Sequence, residues 1–213
     1  SATSIAPRPA RGSRADAMHL LAGETGTIDA ADAAVDLGQS PGDILILSAA
    51  DTELGLLAQA AGAGDPGPSV RLCNLMRLAH PMSVDLYVEA TAAKARIVLV
   101  RMMGGSGYWT YGLERLRALA RAGGPKLVVV PGDDRWDTGL EPFSTEPPDV
   151  CRRLWRYLVE GGPENATRAL ALLAVRIGGG EAPGDPEALP RCGCYRPGAG
   201  VVPFVAPRDG RPV

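Results

Sequence analysis

A glycine-rich segment at residues 102–111 (MMGGSGYWTY) contains the first residues that could bind a ligand. Gly104 and Gly105 precede a predicted helix, where free backbone N–H groups and the positive end of the helix dipole favour an anion. The aromatic rings of Tyr108 and Trp109 could stack on a flat macrocycle, although packing at a helix start is their commoner use. The spacing does not match the dinucleotide fingerprint G-x-G-x-x-G, because a threonine stands in place of the last glycine.

Charged and polar candidates lie close to the predicted strands and helices. Asp133 and Asp134 follow one strand and could touch a metal or orient a polar ligand; two solvated acids in a plain turn are the alternative. Arg101 ends another strand, and its guanidinium could pair with carboxylates. His80 precedes a helix, where it either makes a structural hydrogen bond or acts as a ligand. With only His19 besides it, local spacing provides no histidine pair for a metal.

Other kinds of chemistry have no motif in this sequence. No G-K-[ST] triplet is present, so we predict no P-loop, and no Ser-His-Asp or Cys-His arrangement is visible. Cys73 and Cys151 lie in predicted elements and are interpreted as core thiols, while Cys192 and Cys194 form a lone C-x-C. The segment at residues 48–52 is interpreted chiefly as a helix N-cap. We therefore predict neither a catalytic residue nor a metal ligand in this chain.

These candidates need a scaffold, and the order of apolar segments predicts one. Strands are predicted at residues 18–21, 43–48, 70–74, 96–101 and 126–130. Helices are predicted at residues 51–61, 83–95 (capped by Ser83), 108–122, 148–160 and 163–177. Alternating strands and helices favour a doubly wound α/β fold of Rossmann or flavodoxin type, with a mostly parallel sheet of about five strands. A helical pair and a tail rich in glycine and proline follow it.

Composition and the distribution of residues suggest three regions. Residues 1–17 are interpreted as a disordered extension, residues 18–177 as the α/β domain with its C-terminal helices, and residues 178–213 as a linker toward a missing downstream domain. No apolar run is long enough for a membrane span, and we expect a cytoplasmic protein. The net charge of −2 argues against binding to nucleic acid.

Several segments together resemble the large subunit of aerobic cobaltochelatase, which is related to the porphyrin-binding subunit of magnesium chelatase. The resemblance covers about residues 18–177, and each segment alone is weakly specific, whereas seven in the same order are specific. They are MHLL (18–21), DLGQSP (36–41), DILILSAADTEL (43–54), HPMSVD (80–85), VPGDD (130–134), LEPFST (140–145) and EGGP (160–163).

The resemblance implies the N-terminal part of a tetrapyrrole- and metal-binding subunit. The implied reaction is ATP-dependent insertion of Co²⁺ into hydrogenobyrinic acid a,c-diamide in cobalamin biosynthesis. Two partner subunits would form the motor that uses ATP and Mg²⁺, and this segment alone would be inactive. The resemblance supplies no catalytic residue within this chain. The substrate-contact candidates remain His80, Arg101, Gly104, Gly105, Tyr108, Trp109 and Asp133.

Three alternatives remain open at this stage. A magnesium-chelatase-like subunit would act on a porphyrin, and the DTEL and HPMSVD segments favour cobalt over that alternative. A docking or scaffold domain would touch neither substrate nor metal. A free-standing nucleotide-binding domain is the third alternative, and the glycine spacing counts against it.

Overall fold

A five-stranded parallel sheet forms the centre of the computed structural model, which describes residues 18–21, 33–63, 67–188 and 193–202. The strands in chain order are β1 (Met18–Leu21), β2 (Ile44–Ser48), β3 (Val70–Asn74), β4 (Ile97–Met102) and β5 (Lys126–Pro131). Across the sheet they lie in the order β1-β3-β2-β4-β5, and each neighbouring pair is parallel. The predicted α/β fold is confirmed. The predicted extension at residues 1–17 lies outside the described residues.

Strands β2, β4 and β5 contain continuous apolar runs because both faces of the sheet are covered. Successive side chains of a strand point to opposite faces. Leu45 and Leu47 therefore pack into the core on one face, and Ile44 and Ile46 pack into the core on the other.

Within the described residues, five α-helices divide between the two faces of the sheet. They are α1 (Asp51–Ala63), α2 (Pro81–Ala90), α3 (Thr110–Arg121), α4 (Pro148–Glu160) and α5 (Gly162–Arg176). Helices α2 and α3 cover one core, and α1, α4 and α5 cover the other. The chain therefore leaves β2 toward one face and β4 toward the opposite face. Adjacent strands with diverging connections open a crevice at their carboxyl ends, which is the usual ligand site of such sheets.

Two local predictions were wrong. Ser83 does not cap α2: the helix begins at Pro81 with His80 as its N-cap, and it ends at Ala90 before a short 3₁₀ helix. Proline favours the first helical position because its φ angle is already helical and its missing N–H needs no partner there. The Ser83 hydroxyl instead accepts a hydrogen bond from the backbone N–H of Val35, at 2.8 Å.

The second error concerns the tail, for which the sequence predicted no secondary structure. An antiparallel hairpin is present there, formed by β6 (Cys194–Arg196) and β7 (Gly200–Val202). Strands of three residues are too short to show the alternation that predicts a strand. None of the helices in the described part of the chain has the length and apolar character needed to cross a bilayer.

A buried glutamine attaches the segment before β2 to the core. The Gln39 amide donates to the Leu72 carbonyl at 3.2 Å and accepts a hydrogen bond from the Tyr87 hydroxyl. The Thr91 hydroxyl donates to the Gln39 carbonyl at 2.8 Å. Burial raises the pKa of Tyr87 well above its usual range, so the hydroxyl remains a donor. These bonds connect the segment before β2 to β3 and α2.

Replacing Tyr87 by phenylalanine should destabilise the fold, because the buried hydrogen bond from the Tyr87 hydroxyl to Gln39 would be lost. We expect the free energy of unfolding to fall by about 0.5–1.5 kcal/mol, the usual net contribution of one hydrogen bond. Urea unfolding followed by circular dichroism measures this. Tyr111→Phe is the matched control, since the Tyr111 hydroxyl bonds an exposed carboxylate, and it should change stability by less than about 0.5 kcal/mol. Equal losses in the two variants would contradict the prediction.

Candidate functional site

The carboxyl edge of the sheet is held together by one buried ion pair. Arg101, near the end of β4, places Nη1 3.0 Å from Oε2 of Glu53 in the first turn of α1. Its Nη2 donates to the Gly132 carbonyl after β5 at 2.9 Å. Only 8% of the Arg101 side chain and 14% of the Glu53 side chain are exposed. Arg101 therefore joins the end of β4 to the segments that follow β2 and β5.

Burial and mutual attraction act against each other in this pair. Burial raises the pKa of Glu53, and the charge of Arg101 and a hydrogen bond from Ser48 oppose that rise. Burial lowers the pKa of Arg101, and Glu53 and Asp133 oppose that fall. Two charges withdrawn from water are tolerated only in such close pairing. The Arg101 guanidinium is thus already engaged within the fold.

The end of β3 contributes a second polar contact to this edge. Asn74 donates to the Asp51 carboxylate at 2.7 Å and to the Ala49 carbonyl at 3.3 Å. Its side-chain oxygen accepts from the backbone N–H of Met76 at 2.8 Å. The helix predicted to start near residues 48–52 is present, but Asp51 is its first helical residue and not its N-cap, and the Asp51 carboxylate accepts a hydrogen bond from Asn74.

A polar cleft of about 310 Å³ opens between the loops after β4 and β5. Its lining residues are Met102, Gly105, Pro131, Asp133, Arg135, Trp136, Asp137 and Thr138. Asp133 accepts a hydrogen bond from the Arg135 N–H at 3.1 Å, and Asp137 accepts from the Gly139 N–H at 2.8 Å. These short turns orient the carboxylates. The cleft can therefore offer acceptors to amide groups and one guanidinium to a carboxylate.

Glycine is favoured at two positions near this cleft, for different reasons. Gly105 has a φ of 76°, a conformation that L side chains rarely adopt. A Cβ at Gly132 would collide with the thioether of Met103, so a side chain there would require Met103 to move.

The cleft brings together part of the predicted set. Gly105 and Asp133 line it, and Arg101 is buried beside it. Sequence reasoning missed Arg135 and Asp137, although both follow the PGDD segment that drew attention to this loop. It also missed Glu53, Asn74 and Trp136, as their contacts connect separate elements and no local spacing reveals them.

The other predicted residues have contacts away from the cleft. His80 caps α2 by accepting from the Met82 N–H at 3.1 Å. Trp109 is buried in the core, and its indole donates to the Leu78 carbonyl at 2.9 Å. Tyr108 is exposed, and its ring packs near Gly104. Substrate contact by these four residues stays a prediction.

The thiols match their interpretation as core residues. Cys73 and Cys151 are buried and unpaired. Burial raises the pKa of Cys73 to about 12 and also raises the pKa of Cys151. Within the described ranges, no group of three or more His, Cys, Asp or Glu side chains is arranged to hold a metal ion.

Replacing Arg101 by methionine should leave Glu53 buried without its cation. We expect a loss of about 3–5 kcal/mol in the free energy of unfolding near neutral pH. Because the pKa of Glu53 is higher in the folded state than in the unfolded state, Glu53 favours folding most at pH values below its unfolded-state pKa. This contribution to stability is lost as the pH rises through the folded-state pKa. The loss caused by Arg101→Met should therefore shrink in acid.

Urea unfolding across a pH series measures this dependence. The double variant Glu53→Gln/Arg101→Met is the control, because a neutral amide needs no cation and most of the stability should return. An identical loss at acidic and neutral pH, with no recovery in the double variant, would show that the pair does not support the fold.

Known proteins that resemble this chain were found by sequence and by structure. No protein-family model matches the chain. The aerobic cobaltochelatase subunit CobN of Sinorhizobium sp is 50% identical over 185 residues, which cover 87% of this chain and 14% of that protein. The subunit of the same name from Pseudomonas aeruginosa is 43% identical over 182 residues, covering 84% of this chain and 14% of that protein.

A solved structure of a cobaltochelatase subunit also resembles this chain. The catalytic subunit of cobaltochelatase from Mycobacterium tuberculosis has a TM-score of 0.56 and 30% sequence identity, covering 74% of this chain and 12% of that one. This chain spans about one seventh of the length of the curated relatives it matches. Over the segment that it spans, the chain belongs to the family of the aerobic cobaltochelatase subunit CobN.

Proposed function

We propose that this chain is a segment of the tetrapyrrole- and metal-binding large subunit of an ATP-dependent cobaltochelatase. The reaction would be insertion of Co²⁺ into hydrogenobyrinic acid a,c-diamide during cobalamin biosynthesis in the cytoplasm. One observation carries the proposal: 50% identity to a cobaltochelatase subunit over 87% of the chain. Both curated relatives are named for cobalt, which favours this metal over the magnesium alternative.

Within that subunit, we assign the polar cleft to the periphery of the substrate. A volume of about 310 Å³ is at the lower limit of small-molecule pockets, so the cleft can accept side chains of the macrocycle and not the ring itself. Asp133 and Asp137 can accept hydrogen bonds from substrate amides. Arg135 can pair with a substrate carboxylate. A diamide that also carries carboxylates matches both kinds of group.

The remaining tasks belong to other polypeptide in this proposal. Two partner subunits hydrolyse ATP with Mg²⁺, and the assembled large subunit holds the ring while the metal enters and the pyrrolic protons leave. The segment described here orients one side of the substrate. The isolated 213-residue chain is expected to be inactive.

The cleft assignment can be tested with two adjacent aspartates in the full-length large subunit, reconstituted with its ATPase partners. Asp133→Ala should raise the KM for hydrogenobyrinic acid a,c-diamide about tenfold, equivalent to about 1.4 kcal/mol and typical of one lost hydrogen bond to a charged group. The kcat and Tm should change little. Asp134→Ala is the matched control, because Asp134 is exposed and does not line the cleft. Cobalt insertion is followed by absorbance spectroscopy.

Each alternative predicts a different result. Equal KM values for the two variants would favour a scaffold segment without substrate contact. Insertion of Mg²⁺ into a porphyrin, with no activity on the cobalt substrate, would favour a magnesium-chelatase-like subunit. Cobalt insertion by the 213-residue chain alone would show that the proposed division between subunits is wrong.

A further inference from the structure

Most of the exposed large hydrophobic side chains of the described residues lie in α2, just before it, or near the start of α3. Five of them form what we call the methionine–tyrosine patch, and each is between 37% and 57% exposed. They are Met76, Met82, Leu86, Tyr108 and Tyr111. None of these residues lines the polar cleft.

Side-chain contacts connect the region around the start of α3 to α2 and to the segment before it. The Tyr108 hydroxyl donates to the Met76 sulfur at 3.1 Å. The Tyr111 hydroxyl donates to the Asp85 carboxylate at 2.8 Å. Met82 is a helical neighbour both of Asp85, three residues on, and of Leu86, four residues on. The patch therefore runs across the starts of α2 and α3.

The polar groups within the patch are satisfied among themselves. The Asp85 carboxylate accepts from Tyr111 and pairs with Arg115, whose Nε lies 2.6 Å away. The Tyr108 hydroxyl is engaged by a thioether. Apolar surface is therefore what the patch presents to a partner. Clustered exposed apolar side chains mark interaction sites, and flexible methionines adapt to the shape of what covers them.

We propose that another part of the same large-subunit polypeptide docks on the methionine–tyrosine patch. This inference rests on the proposed function. The chain spans only 14% of each curated relative, so most of such a subunit lies outside it. A covalently continuous segment covers the patch at high effective concentration. Permanent interfaces are also more hydrophobic than transient ones, which fits a same-chain partner better than a motor subunit.

Methionine oxidation can test whether the patch is covered. The full-length large subunit is exposed to hydroxyl radicals alone, without ATPase partners or tetrapyrrole, and oxidation is located by mass spectrometry. Met76 and Met82 should oxidise as slowly as buried Met102, giving a rate ratio near one. A short methionine-containing peptide added to the same sample sets the oxidation rate of an accessible methionine.

Every other pattern would overturn the proposal. Protection that appears only with the ATPase subunits would identify the patch as their docking surface, and protection only with tetrapyrrole would identify a substrate surface. Protection that disappears on dilution would indicate a second copy. Rapid oxidation of Met76 and Met82 under all conditions would show that nothing covers the patch. Met103 packs beside Gly132 of the cleft loop, so its protection by tetrapyrrole tests the proposed function separately.

A substitution provides an independent measurement. Met82→Glu in the full-length large subunit should lower Tm and increase protease cleavage, because a charge would be placed in an apolar interface. Met82→Leu, which keeps the apolar volume, should retain the wild-type Tm. Tyr195→Glu is the surface control and should change neither property. An unchanged Tm in Met82→Glu would contradict docking at this surface.

Discussion

The ion pair between Glu53 and Arg101 is the interaction on which the carboxyl edge of this domain depends. Apolar side chains of the strands pack on both faces of the sheet, and these contacts alone do not determine how the loops at its end are placed. The pair joins α1 to β4, and a further bond from Arg101 reaches the Gly132 carbonyl. A buried charge tolerates little displacement of its partner. The end of β4 and the segments that follow β2 and β5 therefore hold one another in position.

Two surfaces of this domain differ in chemistry. The loop that begins at Gly132 carries the carboxylates of Asp133 and Asp137 into a polar cleft. The starts of α2 and α3 instead expose methionine, leucine and tyrosine side chains. A polar cleft suits a hydrogen-bonded ligand that enters and leaves. An apolar patch suits polypeptide that stays, since water would otherwise contact it continuously.

Sequence reasoning succeeded where a residue's environment is set by its neighbours in the chain. The run ILIL before Ser48 predicts a buried strand because each of its residues is apolar. The PGDD turn was found because it directly follows such a strand. The Glu53–Arg101 pair was not found, as its members are charges in separate elements that look solvated in isolation. The hairpin at residues 194–202 was missed since its strands are too short to show a period.

The same ion pair limits where a macrocycle could bind this domain. In open α/β sheets a ligand usually enters the crevice between strands whose connections diverge, here β2 and β4. Arg101 and Glu53 meet across those connections with little exposed surface. A ring entering there would separate two buried charges, and such a break costs about 3–5 kcal/mol. Contact at the rim, through Asp133 and its neighbours, leaves the pair intact. Under the proposed function, a substrate would therefore be held against the outside of this edge, and other polypeptide would enclose the ring.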